Sequence, residues 1–187
     1  MRIASLGWGS LIWDHRDLPV SGKWQTDGPT LPIEFARESS RKRLTLVIAD
    51  VSETVASLWV LLEVDSLDAA KEALALREGI KEGNIQYSVG WWRKADGASN
   101  GRGAAAIAAW APAHKLDAVV WTNLKPGLKG RSNVVPDYDA VLGHFQMLIE
   151  RGEHADAEEY VRKTPIQIMT GYRQRLQEDL GWTAIQT

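Results

Sequence analysis

Residues 56–79 read ASLWVLLEVDSLDAAKEALALREG, and the chain changes its period inside that stretch. Residues 56–62 are rich in β-formers and have the length of a central strand. Asp65 or Ser66 then offers a side-chain oxygen to cap a helix. Leu67, Ala70, Leu74 and Arg77 or Glu78 recur at helical spacing, which predicts a helix to about Glu78. Gly79 and Gly83 break it.

Working outward, residues 44–48, 33–37 and 2–6 read as strands, with 2–6 ending at Gly7. Between Gly7 and residue 33 lies a long stretch punctuated by Pro19, Gly22, Gly28, Pro29 and Pro32, expected to be irregular. Downstream, strand-like segments return at 85–92, 104–110 and 118–121. From Pro136 the period is helical, with Tyr138, Val141, Leu142, Phe145 and Leu148 on one face. A second helix is expected at 155–162. A third is expected from Pro165, with Thr164 as its cap, to about Gly181. Strands, one helix, more strands and then helices make an α+β order, not an alternating βαβ series. The expected fold is a small mixed, largely antiparallel β-barrel with surrounding helices, because six or seven short strands otherwise leave exposed edges. The chain is expected to form a single domain over 1–187, its C-terminal helices (about 136–181) packing on the barrel.

The charges narrow the function classes. With 22 basic and 24 acidic residues the net charge is −2, and no basic stripe could neutralise a run of phosphates, so nucleic acid is not an expected partner. Arg41-Lys42-Arg43 is a short basic spot before a strand and reads as a solvated turn. The absence of cysteine excludes thiolate catalysis and cysteine-ligated zinc. His15, His114, His144 and His154 are scattered, so no metal site is expected. No run approaches the roughly 20 apolar residues of a membrane span, and a cytoplasmic location is the expectation. Nine tryptophans suggest aromatic core or cleft walls. They could also serve an interface between copies of the chain, so a homodimer is among the partners considered.

Two motifs could carry chemistry. In Gly7-Trp8-Gly9-Ser10-Leu11, two glycines flank Trp8 and let the backbone turn sharply, leaving N–H groups free for an anion or a carbonyl. The run lacks the third glycine of a dinucleotide fingerprint, the Gly-Lys-Ser/Thr of a P-loop and the Gly-x-Ser-x-Gly of a nucleophile elbow. On spacing alone a structural turn with Trp8 and Trp13 buried is the favoured reading, since glycine turns after strands are common. In Arg77-Glu78-Gly79-Ile80-Lys81-Glu82-Gly83, Glu78 sits at a helix C-terminus, where the macrodipole disfavours negative charge. That makes it a candidate for proton transfer, against the alternative of a solvated acid at a frayed end.

Taken together, the two motifs resemble the γ-glutamylcyclotransferase-like family. Members begin with a short strand leading into Tyr-Gly-Ser-Leu or Tyr-Gly-Ser-Asn, which Trp8-Gly9-Ser10-Leu11 resembles. Their catalytic glutamate lies in a run similar to Glu78-Gly79-Ile80-Lys81-Glu82-Gly83, and Pro136-Asp137-Tyr138 resembles a weaker Pro-x-x-Tyr-type segment opening a helix. The resemblance spans residues 2 to about 150. It departs at Trp8, which replaces a tyrosine, and at Ile85, where a tyrosine is common seven residues after the glutamate. Tyr87 stands two positions later, on the same face if this segment is a strand. The resemblance implies a cofactor-independent enzyme that releases 5-oxoproline from a γ-glutamyl amino acid, amine or related amide. Glu78 is then the general acid/base, and Trp8, Gly9, Ser10, Leu11, Tyr87 and Tyr138 bind substrate. A binding module of the same fold, holding a small polar ligand without turnover, is the alternative.

Overall fold

The computed structural model describes residues 1–185. Strands β1 (Ile3–Gly7), β2 (Val20–Gln25) and β3 (Thr30–Leu31) precede β4 (Ile33–Glu38) and β5 (Leu44–Ile48). Strands β6 (Val55–Ala56) and β7 (Leu58–Leu62) lead into helix α1 (Leu67–Glu78) and a single helical turn, α2 (Ile85–Ser88). Then come β8 (Val89–Arg93), β9 (Ser99–Asn100), helix α3 (Ala104–Trp110) and β10 (Ala118–Thr122). Short strands β11 (Gly127–Leu128) and β12 (Arg131–Ser132) precede helices α4 (Tyr138–Glu150), α5 (Ala155–Lys163) and α6 (Gly171–Leu180). The class is α+β, with mostly antiparallel sheets. The chain divides into two compact units: Met1–Leu31 with Ala56–Leu124, and Pro32–Val55 with the chain from Lys125 onward.

The first unit is built on a six-stranded sheet in the order β2-β7-β1-β10-β8-β9. Every residue of β1 is buried. It pairs antiparallel with β7 (Leu6 opposite Trp59) and parallel with β10 (Ser5 opposite Val120). Helix α1 closes the core by burying Leu67, Ala70, Leu74 and Ala75 among Ile3, Val60, Leu62, Val89 and Val120. Both predicted ends of α1 hold: the Ser66 hydroxyl accepts from the Ala69 amide, and Gly79 takes the left-handed conformation (φ 67°) that ends the helix.

The second unit contains the β4–β5 antiparallel pair inside a four-stranded sheet ordered β12-β11-β4-β5. Helix α4 buries Tyr138, Val141, His144, Phe145 and Leu148, so His144 takes the core position expected for Leu142. Its Nε2 faces the Lys42 carbonyl at 2.6 Å, which allows a polar ring into that face.

Four segments differ from the sequence expectation. Residues 104–110 are helical because five of the seven are alanine, the strongest helix former, and only Ile107 is buried. Residues 85–88 form a helical turn because the ladder with β10 runs out at Val89 opposite Thr122. The supposedly irregular stretch contains β2, an edge strand that pairs with β7 across an irregularity; Gly22 at φ 84° hides its alternation. The last helix begins at Gly171, not Pro165. Thr170 caps it, while Thr164 bonds back to the Tyr160 carbonyl at the end of α5. The Arg173 guanidinium donates to the carbonyls of Thr164, Pro165 and Ile168, which holds this connection out of the helix.

Glu34, on β4, is buried at the start of α6. Its carboxylate accepts from the Thr170 hydroxyl and from the amides of Phe35 and Tyr172. Burial outweighs those bonds and pushes the carboxyl above the usual glutamate value. The raised folded value makes stability fullest below the unfolded value, and it declines as pH rises through the folded one. Glu34→Gln should remove that component from a urea-unfolding series measured against pH. Thr170→Val loses the cap and one carboxylate bond, and should cost about 2 kcal/mol in the same assay.

Candidate functional site

The glycine loop and the end of α1 both belong to the first unit. β1 delivers the chain to Gly7, where a Cβ would lie 2.7 Å from the Trp24 ring, so a larger residue would force that ring to shift. The turn that follows closes through two bonds, from the Ile12 amide to the Gly9 carbonyl (3.0 Å) and from the Asp14 amide to the Ser10 carbonyl (2.9 Å). Both are donated by residues after the loop, so neither uses the N–H groups of Gly9, Ser10 or Leu11. Trp8 and Leu11 are buried beneath it. Ser10 is half-buried.

Arg77, in the last turn of α1, reaches across to that loop. Its Nε and Nη2 both donate to the Asp14 carbonyl, at 3.2 and 2.6 Å. Nη2 also donates to Ser10 Oγ at 3.2 Å, and Nη1 to Glu78 Oε1 at 2.6 Å. The Arg77 side chain is 5% exposed and that of Glu78 18%. Arg16, held in the left-handed region at φ 50°, adds a bond from Nη1 to the Arg77 carbonyl at 3.3 Å. Its Nε pairs with Asp14 Oδ2. Glu78 therefore sits at a helix end whose dipole disfavours it, compensated by a guanidinium one residue away. Its second oxygen, Oε2, has no partner among the described residues.

Of the residues singled out in the sequence, Ser10 and Glu78 are thus joined through one buried cation; Trp8, Gly9 and Leu11 are neighbours of Ser10 along the same loop. Tyr87 is on the helical turn α2 and 63% exposed, so the same-face argument for it, which required a strand, does not apply. Its carbonyl accepts from Asn123 Nδ2. Tyr138 belongs to the second unit. There its hydroxyl donates to Asp179 Oδ2 at 2.6 Å, and Arg175 lies over its ring. Burial and the Asp179 carboxylate push that phenol above its ordinary range.

A second polar cluster in the first unit is invisible in the sequence because its members come from three separate segments. Asp27 accepts from Trp59 Nε1 through Oδ1 (2.8 Å) and meets His114 Nε2 at Oδ2 (3.1 Å). Its carbonyl accepts from Trp110 Nε1 at 2.8 Å. The other nitrogen of His114 faces the Trp110 carbonyl, and the two rings stack at 4.4 Å. Both ring nitrogens are engaged, so this group clamps the 26–29 loop and presents no free base. Among the described residues no group of three or more His, Asp or Glu side chains could hold a metal ion, and no helix is long and apolar enough to cross a membrane.

The Trp59 indole, then His114, hold the Asp27 carboxyl below the usual aspartate value. The stability tied to it is present above the unfolded value and lost as pH falls through the folded one. In Trp59→Phe the Asp27 carboxyl should titrate at higher pH, read from its carbon resonance by NMR; an unchanged midpoint would rule out the indole as the cause. No protein-family model, curated protein or solved structure matches this chain.

Proposed function

We propose that this protein is a cytoplasmic, cofactor-independent γ-glutamyl cyclotransferase with Glu78 as the proton-transferring group. The observation that carries this reading is the Arg77 fork, with Glu78 Oε1 on one nitrogen at 2.6 Å and Ser10 Oγ on another at 3.2 Å. It joins the two motifs that resemble those of γ-glutamylcyclotransferase-like proteins. On this reading the six-stranded sheet is the counterpart of the small barrel such proteins are expected to have. The residues of the first unit are sufficient to write the reaction.

The substrate's α-amine attacks its own γ-carbonyl carbon, a C–N bond closes the five-membered ring, and the amide C–N bond to the leaving group breaks. The ammonium starts with three protons and ends with one on the lactam nitrogen. Glu78 Oε2 takes the first as the amine becomes nucleophilic and delivers it to the departing nitrogen; the second passes from the ring nitrogen to the released amine, which leaves as its ammonium. Glu78 returns to a carboxylate, so atoms and charge balance. The N–H groups of Gly9, Ser10 and Leu11 are donors for the carbonyl oxygen as it becomes an oxyanion, or for the glutamyl carboxylate. Holding the amine against the carbonyl within one molecule supplies much of the remaining acceleration.

Incubating the purified chain with a panel of γ-glutamyl amino acids, amines and amides should release 5-oxoproline, detected by mass spectrometry. Glu78→Gln should lower the rate by about 100-fold or more. If no member of the panel gives more product than the Glu78→Gln control, the catalytic reading fails. Saturable binding of a γ-glutamyl compound without product would replace it with a binding role.

A further inference from the structure

We infer that Arg77 is a positioning residue that sets which oxygen of Glu78 handles protons and which way the Ser10 hydroxyl donates, an inference that rests on the cyclotransferase reading. The buried guanidinium divides its N–H donors among three residues. Nε and one N–H of Nη2 are anchored on the Asp14 carbonyl, which fixes the plane of the group. The remaining donors then have set directions. Nη1 engages Oε1 of Glu78, and Oε2 is left as the oxygen free to take and return a proton. Nη2 engages a lone pair of Ser10 Oγ.

The consequence for Ser10 follows from the valence of a hydroxyl. An oxygen that accepts from a cation can no longer accept from substrate along that lone pair, but its own O–H is free to donate. No acceptor for that O–H occurs among the described residues. Ser10 thereby presents its O–H as a donor beside the Gly9–Leu11 amides, suited to the developing oxyanion. Its polarisation by the guanidinium strengthens that donation. A lysine at position 77 keeps the charge but has a single nitrogen, and cannot face the Asp14 carbonyl, Ser10 and Glu78 in one plane.

The test is a cycle of Ser10→Ala, Arg77→Lys and the double variant, assayed for 5-oxoproline release beside wild type and Glu78→Gln. Circular dichroism and thermal melting verify the fold of each. Arg77→Lys should lower kcat by about 100-fold, as misplacement of a reacting group does, with KM changed less than about threefold. Ser10→Ala should lower kcat about tenfold in the wild-type background and less than about twofold once Arg77 is lysine, because the aligned donor is already lost. Equal losses from Ser10→Ala in both backgrounds, or an unchanged kcat in folded Arg77→Lys, overturn the inference while leaving the cyclotransferase reading intact. Wild-type protein that makes no product beyond the Glu78→Gln control overturns both. Should Arg77→Lys not fold, Ser10→Ala and Ser10→Cys decide alone: a tenfold loss in kcat at near-constant KM for both supports the donor role. A cysteine variant that matches wild type, or losses confined to KM, overturns it.

Discussion

A guanidinium carries five N–H donors, and the Arg77 side chain keeps only 5% of its surface in contact with water. Removing such an ion from water costs several kcal/mol unless its donors are met by well-placed acceptors. The first unit supplies a carbonyl from Asp14, a hydroxyl from Ser10 and a carboxylate from Glu78. These acceptors converge only when the loop after β1 turns as it does and α1 stops where it does. The glycine at position 7, the two turn bonds and the left-handed Gly79 are therefore not independent features. Each is a condition for satisfying the same buried cation.

The second unit solves the reverse problem with the same chemistry. Glu34 brings a buried carboxylate to the first turn of α6, where the Thr170 hydroxyl and the Tyr172 amide meet it. Arg173, one turn into the helix, is buried against carbonyls alone, and desolvation lowers its guanidinium to about 10. A helix start and the connection before it are thereby defined by two opposite charges that each use backbone groups as partners. No apolar pattern would place a helix boundary there. The Thr164-Pro165 pair, by local rules the better start, is occupied as the end of α5 and as an acceptor for Arg173.

How far the fold was legible depended on whether the deciding partners were local. Helix α1 could be read at both ends because Ser66 bonds an amide three residues on and Gly79 needs only its own φ. Strands β5, β7 and β10 could be read because each is a largely buried run rich in β-formers, β4 because Ile33 and Phe35 fall at strand spacing, and β1 because a short buried segment stops at Gly7. The alanine run 104–110 was misread because a short apolar segment fits both periods, and propensity decided for helix. Strand β2 escaped because its pairing with β7 lies on a sheet edge, where burial imposes no alternation. The strand placement of Tyr87 failed for a related reason: residues 85–88 lie beyond the last rung of the ladder.

From the sequence alone follow the α+β order, the capped helix 67–78, and the glycine-containing motifs at 7–11 and 77–83. Such features are set by neighbours within one turn or one strand, so the amino-acid order contains them. The tertiary structure alone decided that Arg77 is the hub between those motifs, because its partners at Asp14 and Ser10 stand 63 and 67 residues away. It also decided the Asp27–Trp59–Trp110–His114 clamp, whose members come from three separate segments. A charge or an indole N–H must find its acceptor wherever the fold brings one. Which acceptor that is depends on how distant segments meet, and local propensity carries no record of it.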